Sequence, residues 1–138
     1  MKTRTASKTV IFRKKAGNWK YEAKLTVEAT QAQYSDHTEM TYYTTARKVK
    51  DDFSKWGAED MGLASTSIYL DRADLGKGHT KVTINPAATG ELDIDDARMF
   101  AMKVAKAAEM AAALQDTIIR LETEMSQQAS DMDWEEVK

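Results

Sequence analysis

DDARMFAMKVAKAAEMAAALQDTIIRLETEMSQQ, residues 95–128, decides the fold because it predicts one long helix. The stretch contains no glycine or proline, and alanine, the residue with the highest helix propensity, dominates its middle. Asp93, Asp95 and Asp96 supply an N-cap and negative charge at the end of the helix where the macrodipole is positive. Metal binding by this acidic cluster is the alternative, and we prefer capping.

Apolar residues recur along this helix at alternating steps of three and four, the spacing of a heptad seam. At 1.5 Å per residue the helix spans roughly 50 Å, whereas a domain of this size has a radius of gyration near ~14 Å. We therefore expect the half with Phe100 and Val104 to cover a sheet and the distal half to need a second copy. A break near Asp116 and Thr117 is the alternative. The predicted oligomer interface comprises Ala107, Ala111, Leu114, Ile118, Leu121 and Met125.

The N-terminal part of the chain carries the pattern of β-strands. WKYEAKLTVEAT, residues 19–30, alternates apolar and polar side chains without a break, which predicts a strand with one wet face. TVIFR at 9–13 is β-rich, and Gly17 and Asn18 precede the alternating run, so the two predict a hairpin with a basic turn. A third strand is predicted at 37–45.

Two further elements are predicted before the long helix. Ala46, Val49, Phe53 and Trp56 recur at helical spacing and predict a short amphipathic helix. The β-rich runs 65–70 and 79–85 then flank Gly76 and Gly78 and predict a second hairpin, after which Pro86 and Gly90 separate the sheet from the C-terminal part.

These elements define an α+β fold: an antiparallel sheet of about five strands, a short helix and one long C-terminal helix. The sheet is expected over residues 8–85 and the long helix over 95–128, in a single domain of residues 1–128. Residues 129–138 form an acidic tail with one aromatic side chain, Trp134, which we expect to remain mobile.

Composition excludes several classes of protein. The chain has no cysteine, which excludes disulfide frameworks, thiolate metal sites and cysteine nucleophiles. Residues 1–15 lack a hydrophobic run typical of a signal peptide, and no segment approaches the roughly 18 apolar residues of a membrane span. A soluble cytoplasmic protein without a cofactor is the expectation.

Charge is distributed unevenly along the chain, although the net charge is only −2. Residues 1–24 carry eight basic side chains against Glu22 alone, whereas residues 91–138 carry five basic side chains against twelve acids. Such asymmetry favours a polyanionic partner or head-to-tail contact between subunits. A solvated surface whose charges happen to sort along the chain is the alternative.

Motifs of enzymes are missing. His37 and His79 are each followed directly by threonine, and adjacent strand residues face opposite ways, so the chain lacks the spacing of a two-histidine phosphoesterase. The sequence contains neither a G-x-S-x-G elbow nor a phosphate-binding glycine loop. A small hydrolase remains the least favoured reading, and a non-enzymatic protein is expected.

Binding chemistry is concentrated in the first hairpin. Spaced basic side chains on a sheet suit a phosphate backbone, and exposed aromatics can stack on bases. Tyr42 and Tyr43 are adjacent, so one of them should face outward. A basic surface with an acidic tail resembles the general layout of single-stranded-DNA-binding proteins. The predicted binding residues are Lys8, Arg13, Lys14, Lys15, Lys20, Lys24 and Arg47.

Two hypotheses of function follow from the sequence. The favoured one is a homo-oligomeric binding protein for an anionic partner such as single-stranded nucleic acid. The alternative is an inhibitor module, of the kind that phages encode as antagonists, which sequesters a protein or a small nucleotide between subunits. A steep dependence of binding on salt distinguishes phosphate contacts from a protein interface.

Overall fold

A computed structural model describes residues 2–17, 19–51, 64–71, 80–88 and 91–137. Within these ranges the predicted α+β class is confirmed, with an antiparallel sheet and one long C-terminal helix. The elements in chain order are β1 (Lys2–Ala16), β2 (Trp19–Gln33), β3 (Thr38–Asp51), β4 (Ala64–Asp71), β5 (Lys81–Ala88), α1 (Ile94–Gln127) and β6 (Glu135–Glu136).

The main sheet is antiparallel, with the strand order β3-β2-β1-β6. β1 and β2 form a long hairpin whose register, Ala16 opposite Trp19, leaves a two-residue connection. Gly17 in this connection has φ 63°, a conformation that other L-residues rarely adopt. Lys14 and Lys15 were expected in the turn, but they are strand residues because the ladder with β2 continues to the end of β1.

The core lies between β2 and α1. Alternate residues of β2, from Tyr21 to Ala29, are fully buried, which follows from the period of two in the sequence. The helix contributes a stripe at helical spacing, and burial of each large apolar side chain is worth roughly 1.5–3 kcal/mol. The buried apolar helix residues are Ala107, Met110, Ala111, Leu114, Ile118, Leu121 and Met125.

α1 confirms the predicted helix, but the half that packs on the sheet is the opposite of the one expected. The distal half packs on the sheet of its own chain, from Ala107 to Met125. The exposed apolar side chains lie instead mostly toward the N-terminal half and include Ile94, Met99 and Met102. The helix therefore covers the sheet with its C-terminal two thirds, and the seam is satisfied within one chain.

The short helix predicted from Ala46 to Trp56 is wrong over its first part. Residues up to Asp51 continue β3, with Ala46 opposite Leu25 and Lys48 opposite Ala23. Ala46 and Val49, the two apolar residues of the predicted helix that the structure describes, are too few to distinguish a helix from a strand. The long β2 provides a hydrogen-bonding partner for β3 as far as Asp51. Phe53 and Trp56 lie outside the described residues.

The second hairpin is confirmed as β4 and β5, which pair antiparallel. Pro86 was expected to end the sheet, but it lies within β5, opposite Thr66. Proline is tolerated in an edge strand, where its missing N–H is not needed. Val82 and Ile84 of β5 pack against the core, so this hairpin covers the flank of α1.

The acidic tail was expected to be mobile, but in the structure it is ordered against β1. After one 3-10 turn at Ala129–Asp131, Glu135 and Glu136 pair with Thr5 and Arg4 of β1 as the short strand β6. The indole of Trp134 donates to Ala129 O at 2.7 Å and lies 4.5 Å from the Arg4 guanidinium. Aromatic burial and strand pairing offset the entropy of ordering the tail.

Candidate nucleic-acid interface

The main sheet has a face covered by α1 and an opposite, open face. Residues directly opposite in an antiparallel pair point to the same side, so the register assigns each side chain to a face. The burial pattern of β2, with Leu25 and Val27 buried and Lys24 exposed, fixes which face is open. The open face takes Lys20, Lys24 and Thr26 from β2 together with their partners on β1 and β3.

Basic side chains gather at one end of this open face. Lys15 stands opposite Lys20, and Lys24 stands opposite Arg47 on β3. Arg13 lies in the row between these pairs, where its Nε approaches the Glu22 carboxylate at 3.7 Å. This exposed ion pair is worth at most about 1 kcal/mol. The basic end therefore has one carboxylate among several cations.

A shallow depression of about 200 Å³ lies at the same end of the hairpin, and by register its lining includes one residue of the covered face, Lys14. It lies where β1 and β2 approach their turn. Its shape suits a small charged group such as a phosphate better than a large apolar molecule. The lining residues are Arg13, Lys14, Lys15, Lys20 and Glu22.

Two of the predicted binding residues belong to the other face by register. Lys8 is opposite Val27 and Lys14 is opposite Tyr21, and both partners are buried under α1. The Nζ of Lys8 lies 3.9 Å from Glu124 of the helix. The hairpin thus brings five predicted residues to the open face: Arg13, Lys15, Lys20, Lys24 and Arg47.

Rows of hydroxyl side chains continue the open face beyond the basic end. Thr9, Thr26 and Thr45 form one row across three strands, with the Oγ1 atoms of Thr9 and Thr26 3.3 Å apart. Thr5 and Thr30 belong to a second such row. These rows were not predicted from the sequence, although the alternation of hydroxyl residues along β1 was a signal for them. Such hydroxyls can donate to phosphate oxygens.

One tyrosine faces this surface, as the adjacent pair predicted. Tyr43 stands opposite Glu28 on the open face and is half-buried. Tyr42 points to the covered face and packs against the core, and its hydroxyl has no hydrogen-bond partner in the part of the chain that the structure describes. Tyr34 stacks on the His37 ring at 4.7 Å in the β2–β3 turn.

The six residues assigned to an oligomer interface are placed in the protomer core. Leu114 and Ile118 are fully buried, and Leu121 and Met125 are nearly so, against the sheet of the same chain. An interface through these side chains would require the core to open, so the seam supplies no argument for self-association. The full set is Ala107, Ala111, Leu114, Ile118, Leu121 and Met125.

A buried carboxylate that the sequence analysis missed ties the helix to the sheets. Glu122 of α1 accepts hydrogen bonds at 2.8 Å from the hydroxyls of Thr44 and Thr80, and at 3.3 Å from the Thr80 amide. The Thr80 hydroxyl also accepts from the Thr44 amide on the outer edge of β3. Gln115 extends the connection, since it bonds Val82 N and Thr80 O. The arrangement clamps α1, β3 and the start of β5 together.

Among the described residues, His37 and Asp96 have shifted pKa values. Hydrogen bonds to Asp36 and then Glu39 raise the pKa of the exposed His37 above 6.5. Partial desolvation, followed by the Asp93 and Asp95 carboxylates, raises the pKa of Asp96. Asp93 confirms the predicted N-cap, because its side chain accepts from the Asp96 amide at 2.8 Å. His79 lies outside the described residues.

The described residues offer no evidence for a metal site or a membrane-spanning helix. Among the residues that the structure describes, no cluster of three or more His, Asp or Glu side chains could hold a metal ion. Over the same ranges, no helix combines the length and apolar character needed to cross a membrane. Comparison with family models, curated proteins and solved structures finds no match to this chain.

Proposed function

We propose that the protein binds single-stranded nucleic acid on the open face of its main sheet. The observation that carries the proposal is the cluster of Arg13, Lys15, Lys20, Lys24 and Arg47 on one uncovered surface, continued by rows of threonine. Phosphate contacts supply most of the affinity of such a surface, and the hydroxyls add hydrogen bonds that do not depend on sequence.

A single strand suits this surface better than a duplex. The open face is a surface of several paired strands from which no helix projects among the described residues, whereas a major groove admits a helix or a two-stranded ribbon. Tyr43 offers an aromatic ring on this face, and Ile11, which is 49% exposed, offers apolar surface beside Lys24. Unpaired bases can stack on such surfaces, and stacking tolerates any sequence.

The charges predict the dependence of binding on salt. If about four cations contact phosphates, a slope of roughly 0.7 per phosphate gives a decrease of log K near three per decade of salt. Fluorescence anisotropy of labelled oligothymidylate, repeated over a range of salt concentrations, measures this slope. A slope near zero would contradict phosphate binding and favour the alternative of a protein partner.

A pair of matched variants tests where the strand binds. Lys15→Glu with Lys24→Glu reverses two charges on the open face, and should reduce affinity at least tenfold. Arg98→Glu with Arg120→Glu reverses two exposed charges on α1 and produces the same net charge. An equal loss in both variants would show that overall charge, and not the open face, governs binding. Thermal unfolding of each variant confirms that the fold is retained.

A further inference from the structure

We infer that the strand of nucleic acid runs along β1, with one nucleotide for every two residues. This inference rests on the function proposed above and adds the path, the length and the holding residues of the ligand. The track is the open side of β1 from Thr3 to Lys15. It begins with two cations, passes Ile11 and continues over hydroxyl side chains.

Charge distinguishes β1 from its neighbours. The open side of β1 carries Arg13 and Lys15 and no carboxylate, as its alternate residues show. Neighbouring strands place Glu22, Glu28 and Glu39 on the same face, and Glu135 of β6 stands opposite Thr5 near the far end of the track. A polyanion is repelled by carboxylates, so the path over β1 is electrostatically the most favourable route along the sheet.

The spacing of a nucleic acid also matches the strand. A nucleotide contributes six bonds to its backbone, and two amino-acid residues contribute six bonds to theirs. Alternate side chains on one face of a strand are about 6.7 Å apart. An extended single strand can therefore place successive phosphates beside successive side chains of β1.

The side chains along the track change from cations at one end to hydroxyls toward the other. Arg13 and Lys15 hold phosphates by charge, and Arg13 offers the planar fork that suits them. Thr9, Ser7 and Thr5 offer hydroxyl donors to the following phosphates. The tail occupies the outer edge of β1 at its start, because β6 pairs with Thr5 and Arg4 and Val137 N donates to Thr3 O at 2.9 Å. From Ser7 onward no strand pairs with this edge among the described residues.

The two directions across the sheet predict different lengths of ligand. From Thr3 to Lys15 the track spans about 40 Å and seven side chains, whereas β1 to β3 spans about 10 Å. Titration of oligothymidylates of 2 to 12 nucleotides at low ionic strength distinguishes a path along β1 from a path across the strands. We expect affinity to rise severalfold per nucleotide up to about seven and then to level off. A plateau at about three nucleotides would overturn the path along β1.

A substitution in the middle of the track gives the second test. Thr9→Glu places a carboxylate on the exposed path and should move the plateau from about seven nucleotides to about three. Thr123→Glu is the matched control, because Thr123 is exposed on α1. Trinucleotide binding should stay within twofold for Thr9→Glu, since the basic end still holds it. An unchanged plateau, or an equal loss for all lengths, would overturn the inference.

The outcomes separate this inference from the function on which it rests. If no oligothymidylate binds, the proposed function fails. If oligothymidylate binds with a steep salt slope and is weakened by Lys24→Glu, but the plateau is short, only the path along β1 fails. Far-UV circular dichroism of Thr9→Glu verifies that any change in length dependence comes from an intact sheet.

Discussion

The structural role of Glu122 could not be recognised from its position in the sequence. It occurs in a polar run at the end of α1, and yet its carboxylate is buried and accepts from two hydroxyls and an amide. A buried charge without hydrogen bonds would cost several kcal/mol, so these donors are needed for the fold. The clamp also holds Thr80, which begins the path into β5, against β3.

We predict that Glu122→Gln lowers the free energy of unfolding by about 1–3 kcal/mol, because an amide cannot accept from all the donors that face it. Urea denaturation followed by circular dichroism measures the change. Glu124→Gln is the control, since Glu124 is half-exposed and pairs only at 3.9 Å with Lys8; it should change stability by less than about 0.5 kcal/mol. Equal effects at both positions would contradict the clamp.

His37 should report the pH dependence of the β2–β3 turn. Its pKa is raised above 6.5 by Asp36 and Glu39, whose oxygens lie 2.6 and 3.2 Å from the ring nitrogens. Because the folded pKa is the higher one, the stabilisation is complete below 6.5 and is lost as pH rises through the folded pKa. NMR titration of the ring should give a pKa above 6.5 that falls in Asp36→Asn. A His37→Gln variant assigns the resonance, and a normal pKa would contradict the contacts.

At the residue level the sequence predicted the basic cluster but not its division between faces. The alternation in β2 identified its wet face correctly, and Lys24 and Lys20 lie there. The face of Lys8 and Lys14 depends on the register between β1 and β2. A shift of one residue in that register would move every side chain to the opposite face. The turn at Gly17 sets the register, and its geometry could not be derived from composition.

At the level of elements, the period of α1 predicted which side chains are buried but not what buries them. A seam at heptad spacing fits a partner helix and a sheet equally well. β1 extends well beyond the predicted run 9–13 and β2 slightly beyond 19–30, and together they supply the surface that covers the distal seam. Ala46–Asp51 was misassigned for a related reason, since pairing with this long β2 outweighed a short helical spacing.

Because the seam is buried in the core, we predict that charged substitutions in it unfold the protein. Leu114→Glu with Ile118→Glu should destroy cooperative unfolding, because both side chains are fully buried and two charges would enter the core. Ala112→Glu with Ile119→Glu, on the exposed side of the same helix, should retain the fold. Far-UV circular dichroism compares the two variants. A folded Leu114 and Ile118 variant with a lower mass by light scattering would instead place the seam between subunits.

The contacts of the acidic tail lead to a prediction about the stability of the fold. Trp134→Ala removes the bond to Ala129 O, the contact with Arg4 and the partial burial of the indole. We expect a loss of about 1–3 kcal/mol, measured by urea denaturation. Val137→Ala removes an exposed side chain and should have little effect. If Trp134→Ala leaves stability unchanged, the tail contributes nothing to the fold and the original expectation of a mobile segment would stand.

On the scale of the whole molecule, basic side chains are concentrated at one end of the open face. The open face gathers cations of β1, β2 and β3, whereas α1 begins with Asp93, Asp95 and Asp96 and carries Glu124 near its end. The net charge of −2 therefore does not describe the surface that a ligand meets. A polyanion approaching the sheet experiences the local cations, because salt at physiological strength screens charges beyond about 8 Å.

Removing a carboxylate from the open face should strengthen binding. Glu28 is exposed at the centre of the open face, opposite Ser7 on the proposed track. A phosphate about 7 Å from that carboxylate is repelled by roughly 0.6 kcal/mol in water before screening. Glu28→Gln should therefore increase affinity for oligothymidylate about twofold, most clearly at low salt. Glu109→Gln, which removes an exposed charge from α1, should leave affinity nearly unchanged. Since few substitutions strengthen binding by accident, a gain confined to Glu28→Gln would locate the ligand on the sheet, and a gain shared by both variants would reduce the effect to net charge.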